Sequence, residues 1–310
     1  MEYSDKRVAV TGGHGFIGRA LSEVLEEDGA RVFPISIGDF DLTSRRHVET
    51  MFDEVKPHIV FHLAADVGSI TYFDQNRGSV FYNNVIMNTL VIEEARKRGV
   101  DKFVGVNSVN VYGEDEKAPF REENALQGKP NDKVSGYAQA KRAMIYQTAA
   151  YRSQYGFNGI SVVLDSVYGP HDTFTEGRAR VIPANIRRCV EAEISGSPFV
   201  TAWGTGRPVR DFVFIDDAAM GIALAGKRYS GASPLNIGSG KPLQLRTAIR
   251  EIAEICGFEG EVRWDATMPD GQMERYLSIE MLKSELGWSP QTSFTRGIEK
   301  TVHWYRGLPT

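Results

Sequence analysis

The chain has 310 residues, a formal net charge of −4 and 42 % hydrophobic residues, enough apolar content for one large α/β domain or a domain with a lobe. A charge balance without basic excess speaks against a nucleic-acid partner. Two cysteines, Cys189 and Cys256, and six scattered histidines offer neither a disulfide framework nor metal-type spacing, so no metal is expected.

In chain order, Val8 to Thr11 reads as a short β-branched strand that breaks into glycines at 12, 13, 15 and 18. Ile17, Leu21, Val24 and Leu25 then share one helical face, and Gly29 closes the last turn. Strand, glycine turn and amphipathic helix is the geometry that receives a dinucleotide pyrophosphate. Ala30 to Ser36 is a second strand. Thr43 or Ser44 caps a helix running to about Val55, where Lys56-Pro57 ends it. Ile59 to Ala65 is a continuous apolar strand, as in a parallel sheet buried on both faces. Asn84 to Arg98 is a helix ending at Gly99, and Lys102 to Asn107 a strand. Residues 113–133 read as a polar loop over the site, Tyr137 to Gly156 as a helix and Gly159 to Asp165 as a strand. Beyond Asp172 the alternation fades. Val181–Glu193, Asp216–Ala225, Leu245–Cys256 and Ile279–Leu286 read as helices, and Val209–Ile215 as a strand. The pattern predicts an α/β fold: a Rossmann-type doubly wound parallel sheet with a smaller mixed C-terminal substrate-binding lobe. The division falls at 1–170 and 171–310, with segments near 209–228 returning to the main sheet. Met1-Glu-Tyr-Ser-Asp-Lys6 lacks the apolar core of a signal peptide, and no apolar run reaches about 18 residues. A cytoplasmic protein without a membrane partner is the expectation.

Tyr137 and Lys141 lie four apart on one helical face, and Ser108 stands at a strand end that a parallel sheet brings to its carboxyl edge. A lysine ammonium favours the neighbouring phenolate, so such a tyrosine can exchange a proton with a carbonyl or carbinol oxygen while hydride moves. Taken alone, Tyr-x-x-x-Lys also describes an ordinary surface pair. The glycine turn upstream and Ser108 between them give it weight.

Through these motifs the chain resembles the extended short-chain dehydrogenases/reductases of the nucleotide-sugar type. Thr11-Gly-Gly-His-Gly-Phe-Ile-Gly18, His62-Leu-Ala-Ala65, Ser108…Val-Tyr-Gly113 and Tyr137-x-x-x-Lys141 carry the resemblance. Within that group it is most similar to the GDP-L-fucose synthases, through Ala65-Asp-Val-Gly-Ser-Ile70, Tyr168-Gly-Pro-His-Asp172, Val181-Ile-Pro-Ala184, Trp203 to Phe212, Asn236 to Gly240 and Pro269-Asp-Gly271. The resemblance implies Ser108, Tyr137 and Lys141 as the reductase triad. It implies a nicotinamide site of Gly12, Gly15, Phe16, Ile17, Gly18, Ser36, Asp41, Leu42, Leu63, Ala64, Ala65, Leu164 and Val167, with Tyr137 and Lys141. A GDP-linked substrate would meet Ser108, Val109, Asn110, Arg180, Arg188, Trp203, Arg210 and Asp270. A buried core Trp203 and solvated arginines remain the plain alternatives. A serine at position 36 leans toward NADP(H) over NAD(H), although Ile37 and Gly38 follow where an arginine would be wanted. The two long helices predict a homodimer of the four-helix-bundle kind.

One departure matters. The resemblance calls for an acid/base cysteine and histidine to epimerise C3 and C5, and those positions hold Asn110 and Arg180. The asparagine amide is neither an acid nor a base near neutral pH, and arginine stays protonated. The expected activity is therefore C4 ketoreduction of an NDP-4-keto-6-deoxyhexose or keto-heptose without epimerisation. Two other readings stay open: a 4-epimerase with tightly bound NAD, and a non-catalytic dinucleotide sensor on the same fold.

Overall fold

A computed structural model describes residues 2–308. The chain opens as β1 (Arg7–Thr11), α1 (Phe16–Glu27), β2 (Arg31–Ile35), α2 (Arg45–Val55) and β3 (Ile59–His62). Helix α1 buries Gly18, Leu21, Ser22 and Leu25, and Gly29 just past its cap takes φ +83°. Ser44 occupies the cap position of α2 without a side-chain cap bond, while the Thr43 hydroxyl turns instead to Asp41.

Next come α3 (Ile70–Gln75), α4 (Arg77–Lys97), β4 (Lys102–Ser108), α5 (Ser135–Tyr155), β5 (Gly159–Leu164) and β6 (Ser166–Tyr168). Helix α4 starts seven residues earlier than its pattern predicts and α3 precedes it. Val80, Asn84, Asn88, Leu90 to Ile92, Glu94 and Ala95 are all buried, so no single apolar stripe marks the start.

The C-terminal part holds α6 (Val181–Ser195), β7 (Phe199–Trp203), β8 (Val209–Arg210), β9 (Phe212–Phe214), α7 (Ile215–Arg228), β10 (Leu235–Ile237), β11 (Leu243–Gln244), α8 (Leu245–Ile255), β12 (Glu261–Asp265), β13 (Glu274–Arg275), α9 (Glu280–Leu286) and α10 (Phe294–Arg306). The predicted strand 209–215 is in fact two strands in different sheets. β8 joins β11 and β13, and β9 joins β6. Asp211 divides them, its buried carboxylate taken by the Ser239 hydroxyl and the Gly240 amide.

Six strands form the main sheet in the order β10-β5-β4-β3-β1-β2, every pairing parallel. Side chains alternate across it. Val8, Val10, Ile59, Phe61, Val104 and Val162 face one core with Leu21, Leu25 and Ile222. Ala9, Val60 and Phe103 face the other with Val48, Val91 and Met144. Within 209–228, helix α7 returns to pack on α1 and β5, whereas the strand that rejoins the main sheet is β10. From β1 the chain runs outward to β2 and then back across β1 to β3. The carboxyl ends of β1 and β3 thus flank the crevice where such sheets bind ligands.

Candidate active site

Beyond Thr11 the chain turns at Gly12 with φ +71°. A side chain at Gly18 would land on the Gly12 carbonyl oxygen, so both positions need glycine. Gly15 is the N-cap of α1 and supplies no side-chain cap. The first amides of that helix, those of Phe16 and Ile17 among them, therefore lack intrahelical or capping partners. Uncapped amides at a helix N-terminus suit a pyrophosphate, and the residues present fit a dinucleotide. Leu63, Ala64 and Ala65 line the opposite lip, half-buried. Leu63 and Ala64 donate their amides to the Thr11 carbonyl (3.1 Å) and hydroxyl (3.2 Å).

At the end of β2, Ser36 is not a bare small residue. Its amide and hydroxyl both donate to Asp39, at 2.8 and 2.6 Å. These bonds hold the exposed Asp39 carboxyl below its usual range, with His14 adding to the effect. Asp41 likewise accepts from the amide and hydroxyl of Thr43, and Leu42 is buried. Leu164, Val167 and Val109 are also buried at the far side of the crevice.

The residues expected to form the triad come from β4 and α5. Lys141 donates from Nζ to the Val106 carbonyl at 2.8 Å, two residues before Ser108. Arg142 donates from Nε to the Val111 carbonyl at 2.6 Å, three residues after it. Ser108 is thus bracketed by two bonds to one helix, and its own hydroxyl accepts from the Asn110 amide at 3.4 Å. Lys141 Nζ lies 5.8 Å from the centroid of the Tyr137 ring, whose face stacks on Phe73 at 4.9 Å. Burial raises the Tyr137 phenol, and the charge opposing that rise is Arg180. Burial alone pushes the Lys141 ammonium down to about 7.

Arg188, Trp203, Arg210 and Asp270, expected to meet the substrate, fall into two contact groups in the C-terminal part. Arg188 lies 5.7 Å from the Trp203 ring centroid, and Trp203 is 61 % exposed at the end of β7. Two residues on, the Thr205 amide and hydroxyl donate to the Asp270 carboxylate at 2.6 and 2.7 Å. The Asp270 carbonyl in turn accepts from Arg210 at 3.3 Å. Arg210 is buried and pushed down to about 10, which leaves it charged at neutral pH. It pairs in register with Arg275. Arg180 stands apart from this group, bonded to Asp172.

Two features escape motif reading. First, His62 accepts at Nδ1 from the Thr11 hydroxyl (2.7 Å) and donates from Nε2 to Asn88 (2.9 Å), an assignment set by that network. Asn88 reaches on to the Ala140 carbonyl at 3.3 Å, so one buried chain ties the glycine turn to the helix of Tyr137. Burial holds His62 neutral, near 3. Second, Asp165 follows β5 one residue past the position paired with Ser108, and burial lifts its carboxyl to about 7. Arg275 is 4.0 Å away. Among the described residues, Asp165 Oδ2 and Arg275 Nε have no hydrogen-bond partner. Its strand-end position could have flagged Asp165. Among the described residues no cluster could hold a metal, and no helix is long and apolar enough to cross a membrane.

Residues 8–238 match the model of the NAD dependent epimerase/dehydratase family. The chain is 35 % identical over 305 residues to GDP-L-fucose synthase 1 of Arabidopsis thaliana, covering 97 % of this chain and 94 % of that protein. Its fold is similar to a GDP-6-OMe-4-keto-L-xylo-heptose reductase of Campylobacter jejuni, with a TM-score of 0.91, 26 % identity and 99 % of each chain covered. It is also similar to a GDP-mannoheptose C4 reductase of Campylobacter jejuni solved with NADP, at a TM-score of 0.88, 27 % identity and 99 % of each chain. A parallel sheet with its glycine turn at the switch point, a strand end at Ser108 held to the helix that carries Tyr137 and Lys141, and these full-length likenesses agree: the chain belongs to the NAD dependent epimerase/dehydratase family and is an NAD(P)-dependent enzyme of the short-chain dehydrogenase/reductase kind.

Proposed function

We propose that this enzyme reduces the C4 carbonyl of a GDP-linked 4-keto-6-deoxyhexose or keto-heptose without epimerising C3 or C5. One observation carries the reading. Tyr137 and Lys141 share the helix whose Lys141 and Arg142 bond to the backbone on either side of Ser108, while positions 110 and 180 hold residues unsuited to moving a carbon-bound proton. In this reading the turn of Gly12, Gly15, Phe16, Ile17 and Gly18 holds the pyrophosphate. When bound, the nicotinamide supplies the hydride that reduces C4. Ser108 orients the C4 oxygen and Tyr137 gives it a proton. Arg210 and Arg275 meet the diphosphate, and Trp203 with Arg188 flanks the base or sugar. Asp270 acts at one remove: Thr205 occupies its carboxylate, and its carbonyl fixes Arg210. The dinucleotide half comprises residues 1–170 together with α7 and β10, which return to it, and the rest of 171–310 is mainly the substrate lobe.

NADP(H) is the proposed cofactor, supported by Ser36 at the end of β2 and by the relative solved with NADP. The Asp39 carboxylate on Ser36 favours NAD(H) instead, because it would repel a 2′-phosphate and accept from a 2′-hydroxyl. Equilibrium binding of NADPH and NADH, followed by nicotinamide fluorescence, separates the two. Tighter NADPH binding supports the proposal. Tighter NADH binding, reversed toward NADPH in Asp39→Asn, replaces it. We also propose a homodimer through α4 and α5, which leave Phe81, Tyr82, Tyr146 and Tyr155 exposed.

The test of the activity is stoichiometric consumption of reduced cofactor with a panel of GDP-, UDP-, dTDP- and CDP-linked 4-keto sugars. Tyr137→Phe is expected to abolish turnover while leaving cofactor affinity within about 3-fold, because it removes the phenolic hydroxyl and keeps the ring. Near-normal activity in that variant would remove the triad assignment. Retained NAD with interconversion at C4 and no net oxidation would replace reductase by 4-epimerase.

A further inference from the structure

Asp165 stands where the main sheet meets the C-terminal lobe. It follows Leu164, the residue of β5 paired with Ser108, and so leaves the sheet at its carboxyl edge. Its side chain is fully buried, and Nη2 of Arg275 on β13 lies 4.0 Å from its Oδ1. Oδ1 accepts from the Ser166 hydroxyl at 3.1 Å, while Oδ2 has no hydrogen-bond partner among the described residues. Arg275 is 31 % exposed, and its buried Nε likewise lacks a partner among the described residues. The two groups face each other as charges, beyond hydrogen-bond distance.

Arg275 also stands in parallel register with Arg210 on β8, which is buried. Two guanidiniums side by side call for counter-charge. The other carboxylates nearby are bonded elsewhere: Asp211 to the Ser239 hydroxyl and the Gly240 amide, and Asp270 to Thr205. Glu274 is exposed and precedes Arg275 on β13, so it points to the opposite face of that strand. Asp165 is therefore the anion that faces Arg275 from inside the protein. A diphosphate arriving at the two arginines meets a fixed negative charge behind one of them. Removing that charge strengthens anion binding, whereas a packing defect or a displaced arginine weakens it.

We propose that Asp165 is an affinity-setting residue for the substrate diphosphate: its buried carboxylate shares Arg275 with the ligand and holds binding below what the two arginines alone would give. The proposal rests on the reading that Arg210 and Arg275 meet a diphosphate, and it makes the affinity depend on pH. Burial lifts the Asp165 carboxyl to about 7, with Arg275 opposing the rise and Asp211 adding to it. The charged groups around it are thus Arg275 on β13, Arg210 beside that arginine on β8, and Asp211 between β8 and β9. Protonation removes the resident charge. The ligand then binds more tightly as pH falls through that value, and binding above it takes up a proton.

The test is calorimetric titration of GDP-mannose, whose doubly esterified diphosphate keeps its charge near neutral pH, into wild type, Asp165→Asn, Asp165→Ser and Arg275→Gln. At about pH 8.5 Asp165→Asn should bind it about 10-fold more tightly than wild type, and at about pH 6 the two should agree within about 3-fold. Wild type should gain affinity between these pH values and take up a proton on binding. The asparagine variant should do neither. Asp165→Ser repeats the comparison should Asp165→Asn fold poorly. Equal or weaker binding in both neutral variants at about pH 8.5, or a pH dependence that survives in them, would overturn the proposal. Arg275→Gln separates this from the parent reading. If it binds GDP-mannose as wild type does, the diphosphate reading of Arg275 fails and the proposal falls with it. If it binds about 10-fold more weakly while the Asp165 variants match wild type, the diphosphate reading stands and the proposal alone fails.

Discussion

Thr11 links two functions through single atoms. Its carbonyl and hydroxyl accept the amides of Leu63 and Ala64, and the same hydroxyl donates to His62. Thr11→Val keeps the shape and leaves the His62 Nδ1 and the Ala64 amide without partners. It should cost about 1–3 kcal/mol, read from urea denaturation. His62 also makes stability depend on pH. Its folded-state value is depressed from 6.5 to about 3, so the unfolded chain binds a proton in that window that the folded chain does not. Its contribution is fully present above pH 6.5 and is lost as pH falls toward 3. The urea midpoint should drop across that window, and drop less in His62→Gln. Ser108, Tyr137 and Lys141 were legible in the sequence because each belongs to a short local motif. The His62 network was not. Thr11, His62, Asn88 and Ala140 are scattered, and only the β1–β3 register sets Thr11 opposite His62. Asp39 was missed for a related reason: a strand-end rule looks at position 36, and the carboxylate arrives from the following turn.

At the level of elements, the stretch 113–133 is more than a cover. Arg142 donates to the carbonyls of Val111, Gln127 and Gly128, at 2.6, 2.6 and 2.8 Å. Asn236 on β10 accepts from the Tyr112 hydroxyl at 2.8 Å and donates to the Phe120 carbonyl at 3.0 Å. Phe120 exchanges backbone bonds with Tyr276 and Ser278. One loop therefore ties α5, β10 and the segment after β13 together. Arg142→Met removes three of these bonds beside Lys141. It should lower the thermal midpoint and reduce kcat about 10-fold, with cofactor affinity unchanged, as checked by calorimetry and fluorescence titration. The long elements were legible from periodicity. The short ones were not: β8, β9, β11 and β13 have two or three residues each, too few for alternation to register. Buried polar residues deepened the difficulty. Asp211 interrupts an apolar run, and Asn84 and Asn88 hide the start of α4 among core positions.

For the whole molecule, the sheet supplies one wall of the crevice and the C-terminal lobe the other, with Arg180 extending from the second toward the first. The fold class was legible because the parallel sheet needs continuous apolar strands spaced by helices. The lobe's sheet pairings depend on contacts between distant segments. The proposed dimer predicts a solution mass about twice that of the 34.5 kDa chain by light scattering, reduced to one chain by Tyr146→Asp on the exposed face of α5. The central claim is that hydride transfer has been kept and carbon acid chemistry lost. It is tested most directly by running the reaction in deuterated water with a GDP-4-keto-6-deoxyhexose and reduced cofactor, then locating deuterium in the product by NMR. One cofactor should be oxidised per sugar reduced, with no solvent deuterium at C3 or C5. Deuterium at either carbon, introduced before or during reduction, would contradict it.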